Sequence, residues 1–319
     1  MTDMYEPVPD GNWYVLMAGM PAPHEPVTLA PGVSLRPLTS PLTVFDLAAA
    51  GGVGFRKWSV LEPVAANCAC EIESAKDSNV TPGYDTLHRA WLASVLLVLR
   101  GFTRHTCVAC SGYSWSTIAG HQARTSGVFK QQMAEKGVDA AVFDSKCALP
   151  PFRGDLLDFH LKIIVDSNAR PDTVQRDDVH WIQKHFNTFN TLAASSGAFR
   201  FALEASVDWR YGKDPRASIS RLWAGIEAVF GISSEMVYRV SLLSASLLAD
   251  RGSARREIFA EVKKLYGLRS KAVHGVELPK EKIQEALSGS YALLRDLLLL
   301  SIEKGHPLGN EDFDAAVFD

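Results

Sequence analysis

The chain has 319 residues, of which 47% are hydrophobic and 22% are charged, and its formal net charge at pH 7 is −3. This composition excludes an intrinsically disordered chain and predicts a globular protein with ample apolar material for a core. The charge excludes a protein coated in basic residues, so any contact with nucleic acid must come from a local basic patch.

The sequence gives no sign of secretion or of membrane insertion. The first residues lack the basic and apolar stretches of a signal peptide, and an odd number of scattered cysteines suits a reducing compartment. The apolar run Ala90–Leu99 is too short to cross a bilayer, and Arg295 and Asp296 interrupt the run Leu293–Ile302. We therefore expect a cytoplasmic protein that does not contact a membrane.

Residues 1–150 are predicted to form a mixed β and loop region. Proline and glycine are frequent in its first half, and short β-like runs occur at Val27–Leu29 and Val33–Leu35. One helix is predicted near 84–99, beginning at Tyr84.

Two close cysteine pairs in this region allow a different interpretation. Cys68 and Cys70 are separated by one residue and Cys107 and Cys110 by two, which offers four thiols to a structural zinc ion. The first spacing is atypical of zinc sites, and free cysteines are often simply buried. A zinc-supported nucleic-acid binder is therefore an alternative, whereas the main prediction contains no metal and no cofactor.

Residues 155–306 are predicted to form a domain of antiparallel helices. Apolar residues recur at steps of three and four residues in five segments, which begin near Val179, Ile219, Val237, Ile258 and Ile283. Asp214 and Pro215 are typical of a helix start, and Gly231 of a helix end. Residues 307–319 are predicted to be a loose acidic tail. The predicted fold class is α+β, with an irregular β-containing N-terminal region followed by a C-terminal antiparallel α-helical bundle.

Helical geometry places Arg269 and His274 on different sides of the helix predicted over Ser253–Val273. At roughly 100° per residue, Arg269 follows Leu265 on the core-facing stripe, and His274 lies about 140° further around the axis. An arginine turned toward a core needs a carboxylate, and Glu227 lies beside the apolar face of its own helix. We therefore predict a contact between Glu227 and Arg269.

The segment that contains His274 is locally basic. Residues 251–282 include nine Lys or Arg and four Asp or Glu, a net charge of +5. Lys263, Lys264 and Lys271 are the candidate contacts to RNA phosphates. RNA also supplies its own nucleophile, the 2′-hydroxyl, so a histidine that moves a proton and an arginine that stabilises the phosphorane suffice without a metal.

Two segments, Tyr266–Gly275 and Leu222–Phe230, resemble the HEPN superfamily and specifically its Apea-like branch. The first reads Tyr-Gly-Leu-Arg-Ser-Lys-Ala-Val-His-Gly and contains an Arg-x(4)-His form of the family's Arg-x(4–6)-His motif. The resemblance covers the region from Phe201 to Leu300. It implies a metal-independent endoribonuclease that leaves 2′,3′-cyclic phosphate or 3′-phosphate ends and 5′-hydroxyl ends.

The resemblance also implies a role for each motif residue. His274 would be the general base or acid, Arg269 would stabilise the transition state, Ser270 and Lys271 would help to bind phosphate, and Glu227 would position Arg269. It further implies a homodimer or higher homo-oligomer with facing motifs, a possible regulatory protein partner, and a role in prokaryotic anti-phage defence or as a toxin.

A non-catalytic HEPN scaffold, or a module that binds a partner or RNA, is the alternative within the same family. The residue after the motif arginine is often a polar amide or an acid in active members, and it is Ser270 in this chain.

Overall fold

The structure is a computed structural model that describes residues 12–43, 58–76, 86–119, 131–132, 134–137, 154–156, 163–232 and 236–318. Its N-terminal part contains an antiparallel sheet, whose strands are β1 (Trp13–Ala18), β2 (Val27–Ala30), β3 (Val33–Pro37), β4 (Cys68–Ser74), β5 (Thr106–Ser111) and β6 (Gly154–Leu156). Their order across the sheet is β2-β3-β4-β1-β5-β6. The β-structure expected for this region is confirmed, including the two runs that begin at Val27 and Val33.

The two faces of the sheet are covered by different elements. Because side chains alternate along a strand, Tyr14 and Leu16 of β1 face one side and Val15 and Met17 face the other. The short helices α1 (Trp58–Ala66) and α3 (Trp115–Ile118) contribute to the cluster around Tyr14 and Leu16, and helix α2 (Thr86–Leu99) covers the opposite face.

Helix α2 is buried on every side along most of its length. Each residue from Leu92 to Leu99 is buried, which agrees with a sequence that has no polar face. The predicted helix begins at Tyr84, which lies outside the described residues. One cluster of buried side chains joins the sheet, α2 and the C-terminal helices, so the sheet and the helices share a core.

The C-terminal part is helical, as expected. Its elements are α4 (Arg176–Ser195), α5 (Gly197–Asp208), a 3-10 turn (Trp209–Tyr211), α6 (Pro215–Phe230), α7 (Met236–Leu248), α8 (Ser253–Val273), α9 (Lys280–Lys304) and α10 (Asn310–Phe318). The predicted start and end of α6 are confirmed. The Asp214 side chain accepts from the backbone N–H of Arg216 at 3.0 Å, and Gly231 ends the helix with φ 61°.

Two of these helices were not expected. Helix α5 follows α4 after a break at Ser196, whose hydroxyl caps it by accepting from the backbone N–H of Phe199. The prediction of a loose tail over residues 307–319 is wrong, because residues 310–318 form α10. Phe313 of α10 is 7% exposed and its ring lies 5.6 Å from that of Phe230.

A buried arginine connects the helices to the sheet. Arg210, in the 3-10 turn, is only 1% exposed. Its guanidinium donates to the carbonyl oxygens of Thr103 and His105, just before β5, at 3.0 and 2.7 Å. Its Nε donates to the carbonyl oxygen of Val207 in α5 at 3.1 Å. These bonds hold the chain that enters β5 against the end of α5.

Two helical glycines form a matched pair for testing how tightly the helices pack. A Cβ atom on Gly225 of α6 would lie 2.7 Å from the Cβ of Ala205 and 3.0 Å from Cδ2 of Leu294, whereas one on Gly267 of α8 would meet nothing within 4 Å. We expect Gly225→Ala to lower the free energy of unfolding by about 1–3 kcal/mol through overpacking. Gly267→Ala should raise it by about 0.5–1 kcal/mol through helix propensity. Urea unfolding measures both, and equal stability of the two variants would contradict the close approach of α5, α6 and α9.

A second prediction concerns the dependence of stability on pH. His105 is buried, and desolvation, assisted by the Arg210 charge, lowers its pKa from 6.5 to about 3. The folded protein therefore keeps this imidazole neutral at pH values where the unfolded chain binds a proton, so stability falls as the pH drops below about 6.5. Between about pH 7.5 and pH 5 the expected loss is about 2 kcal/mol.

The corresponding measurement is urea unfolding of the wild type and His105→Gln at both pH values. The variant lacks the titrating group, so its stability should fall less between the two pH values, by about 2 kcal/mol. The same pH dependence in both proteins would show that His105 binds a proton normally in the folded state.

Candidate active site

The C-terminal end of α8 is fixed by a hydrogen-bonded turn that places His274 immediately after the helix. The backbone N–H of Val276 donates to the carbonyl oxygen of Lys271 at 2.9 Å, and that of Gly275 donates to Ala272 at 3.3 Å. Gly275 has φ 76°, a left-handed conformation that favours glycine. The His-Gly pair at the end of the motif therefore terminates the helix and leaves the His274 side chain exposed.

Arg269 lies on the opposite, inner side of α8 and contacts Glu227 of α6. Its Nη2 atom is 3.4 Å from Oε1 of Glu227, and the two side chains are 25% and 26% exposed. The contact predicted from the helical pattern is therefore present. It is a single long hydrogen bond and not a bidentate pair. Glu227 therefore orients the guanidinium but accepts from only one of its nitrogen atoms.

Aromatic side chains complete the surroundings of Arg269. Its guanidinium carbon lies 5.5 Å from the centre of the Tyr266 ring, and Tyr266 meets Trp223 edge to face with 5.1 Å between ring centres. Trp223 is buried and donates from Nε1 to the Ser290 hydroxyl at 2.9 Å. Neither Tyr266 nor Trp223 is predicted from the sequence as a neighbour of the ion pair. Their spacings, Tyr266 three residues before Arg269 and Trp223 four before Glu227, are the signal that would have placed them beside the ion pair.

The guanidinium of Arg269 and the imidazole of His274 are not hydrogen-bonded to each other. The two residues are separated by about 7.5 Å along the axis and about 140° around it. One faces α6 and the other faces solvent. A single copy of the chain therefore presents the arginine and the histidine on different sides of one helix end.

The other predicted site residues differ in how free they are to bind a ligand. Ser270 is half-buried, and its carbonyl oxygen accepts from the backbone N–H of His274 at 3.1 Å. Lys263 and Lys271 are exposed and have no ion-pair partner among the described residues.

Lys264 is bound by carboxylates. Its Nζ lies 3.3 Å from Glu261 and also contacts Glu285 of α9. A hydrogen bond to Glu285 raises the pKa of Lys264 most, and a hydrogen bond to Glu261 raises it further, because both carboxylates favour the charged form of the lysine. Its positive charge is therefore largely balanced within the protein.

Two arginines of the basic segment have a structural role that the sequence does not predict. Arg251 donates to the carbonyl oxygen of Val317 at 3.0 Å, and Arg255 donates to Ala316 at 3.2 Å, both at the C-terminal end of α10. Arg255 also donates to the carbonyl oxygen of Ala249 at 3.0 Å. These contacts between distant parts of the chain hold α10 in place, and no local pattern indicates them.

The cysteines of the zinc alternative are not gathered at one point. Cys68 packs in the cluster on one face of the sheet, whereas Cys70 and Cys110 belong to the cluster on the other face and Cys107 packs against that second cluster. Burial raises the pKa of the Cys68 and Cys70 thiols to about 12, which disfavours the thiolate form that binds zinc. Within the described part of the chain, no group of three His, Cys, Asp or Glu residues could hold a metal ion.

No protein-family model, curated protein or solved structure matches this chain. Of the helices in the described ranges, none combines the length and the apolar character needed to span a bilayer. An exposed imidazole can exchange protons with a bound molecule, and a partly exposed guanidinium held by Glu227 can bind an oxyanion.

The weak geometry of the Glu227–Arg269 pair leads to a stability prediction. Because both side chains are partly solvated and share one hydrogen bond of 3.4 Å, we expect a coupling energy below about 1 kcal/mol. A double-mutant cycle with Glu227→Gln and Arg269→Gln, measured by urea unfolding, gives this value. A coupling above about 2 kcal/mol would mean that the pair serves mainly to hold α6 and α8 together.

Proposed function

We propose that the protein is a metal-independent endoribonuclease of the HEPN type, with Arg269 and His274 as its catalytic residues. The observation that carries the proposal is the arrangement at the end of α8, where an exposed histidine follows an arginine that a carboxylate orients. The resemblance of Tyr266–Gly275 and Leu222–Phe230 to the Apea-like branch supports the same assignment.

The proposed reaction balances with the groups of the protein and the RNA. A neutral His274 takes the proton of a 2′-hydroxyl as that oxygen attacks the adjacent phosphorus. The bond from phosphorus to the 5′-oxygen breaks, and a protonated histidine gives its proton to the leaving oxygen. The products are a 2′,3′-cyclic phosphate and a 5′-hydroxyl. Arg269 stabilises the charge on the phosphorane, Glu227 positions Arg269, and Ser270 and Lys271 help to hold the phosphate.

A second copy of the chain would supply the second histidine. Each copy presents one motif histidine, so a homodimer in which the two α8 ends face each other provides both a base and an acid. The proposed setting is the prokaryotic cytoplasm, where such an enzyme acts in anti-phage defence or as a toxin under the control of a regulatory protein.

A non-catalytic HEPN scaffold, or a module that binds a partner or RNA, is the second candidate. The observation that favours it is the exposure of two valines beside His274, Val273 at 46% and Val276 at 47%. Contact with a partner would remove these two apolar side chains from water.

The deciding experiment incubates the protein with total RNA in EDTA and maps the new ends. We expect the wild type to produce cyclic-phosphate and 5′-hydroxyl ends, and Arg269→Ala and His274→Ala to lose at least about 100-fold in rate. His180→Ala, which changes another exposed histidine on α4, is the matched control and should cleave normally.

Two outcomes would count against the nuclease. If His274→Ala cleaves as fast as the wild type, the activity does not come from this site. If the RNA stays intact while the protein binds RNA or another protein, the scaffold or binding module is the better description.

A further inference from the structure

The cations of α8 are divided between two sides of the helix. By helical geometry, Arg256, Lys263 and His274 lie within about 20° of one another around the axis. All three are exposed, and neither Arg256 nor Lys263 has an ion-pair partner among the described residues. We call these three residues the basic strip.

The acidic residues of α8 lie away from the basic strip. Glu257 and Glu261 are about 100° and 140° from it around the axis. Glu261 and Glu285 of α9 bind Lys264, which lies on that side as well. The structure therefore balances the charge of Lys264, on the side of α8 that faces α9, and leaves the charges of Arg256 and Lys263 unbalanced on the outer side that carries His274.

An exposed aromatic pair borders the basic strip. Tyr238 of α7 is 61% exposed, and its ring meets that of Phe259 edge to face with 5.8 Å between ring centres. Phe259 is half-buried, so it fixes the position of a tyrosine that remains open to solvent. Phe259 lies between Arg256 and Lys263 in the chain and about 22 Å along the axis from His274.

We propose that this surface binds single-stranded RNA, with one unpaired base stacked on Tyr238 and the backbone following the basic strip to His274. The inference rests on the proposed function and adds to it the path that the RNA follows on the protein surface. Stacking on an exposed ring needs a base that is not paired, and cations at intervals along one line suit a phosphate backbone. Gly267 lies on the same line between Lys263 and His274, and the space beside its Cα is open.

A protein partner fits this surface less well. The apolar area around Tyr238 is flanked by unpaired cations, which a neutral apolar surface would have to desolvate without compensation. A polyanion instead gains energy from the same cations by releasing its counterions.

The test measures binding of a fluorescent oligouridylate of about twelve nucleotides, and of an RNA duplex of the same length, to the full chain carrying His274→Ala, which prevents cleavage. Adding Tyr238→Ala should weaken binding of the single strand about tenfold and leave duplex binding unchanged, since paired bases cannot stack on the ring. Tyr238→Phe keeps a ring and should restore most of the affinity. Phe318→Ala, at another exposed ring, is the matched control and should bind like the parent protein.

The contribution of the basic strip is tested separately, by the salt dependence of RNA binding. Lys263→Gln should reduce the slope of log affinity against log salt concentration by about 0.7, as expected for one lost phosphate contact with a single strand. Lys184→Gln, which removes an exposed lysine on α4, should leave the slope unchanged.

The outcomes separate this inference from the proposed function. If the protein without the His274 substitution cleaves RNA, but Tyr238→Ala and Lys263→Gln leave single-strand affinity and salt slope unchanged, the RNA path is wrong and the nuclease stands. If Tyr238→Ala lowers single-strand affinity in a protein that never cleaves, the path is supported and the nuclease is wrong. If Tyr238→Ala weakens binding of the single strand and of the duplex equally, the proposal that a base stacks on Tyr238 is wrong. Failure to bind any RNA, with Tyr238 needed to bind a protein, would overturn the path in favour of a protein partner.

Discussion

Helix α2 has no polar side, and the fold is organised around burying it. The sheet covers one side of α2, and helices of the C-terminal part cover the rest. Tyr291 of α9 donates to the carbonyl oxygen of Val98 in α2 at 2.6 Å, and Arg210 binds the chain just beyond α2. Because removing any of these layers would expose an apolar helix, the sheet and the helices must fold as one unit. Helix α8 packs on α6, α7 and α9 at the outside of this unit, which leaves its outer face free.

The parts of the fold that depend on local pattern could be predicted from the sequence. Asp214 and Pro215 start α6, and Gly275 ends the turn after α8, because capping and left-handed glycine act within a few residues. The Glu227–Arg269 contact was also predictable. Both residues lie at the edge of an apolar stripe, so packing the two stripes together brings the side chains into range.

The parts that depend on distant contacts could not be predicted in this way. The α10 segment has one strong apolar anchor, Phe313, and it is also held by Arg251 and Arg255 through backbone carbonyl oxygens and by the ion pair between Lys304 and Asp312. The same contacts reduce the positive charge that is available to a ligand. A net charge of +5 over residues 251–282 predicts a broad basic patch, but these two arginines and Lys264 have partners within the protein. The positive charge of α8 that remains available to a ligand is narrower, and it is carried by Arg256, Lys263 and Lys271.

The division of α8 into an inner and an outer face also bears on how the proposed nuclease would assemble. Arg269 is oriented from within each copy, whereas His274 is exposed beside Val273 and Val276. Contact between two such helix ends would bury the valines and bring two histidines together, but it would also bring the two copies of Lys271 close to each other. An RNA phosphate between them would reduce that repulsion. In the proposed enzyme, substrate binding and dimer formation would therefore favour each other, because the anion that is cleaved also neutralises the charge that keeps the two copies apart.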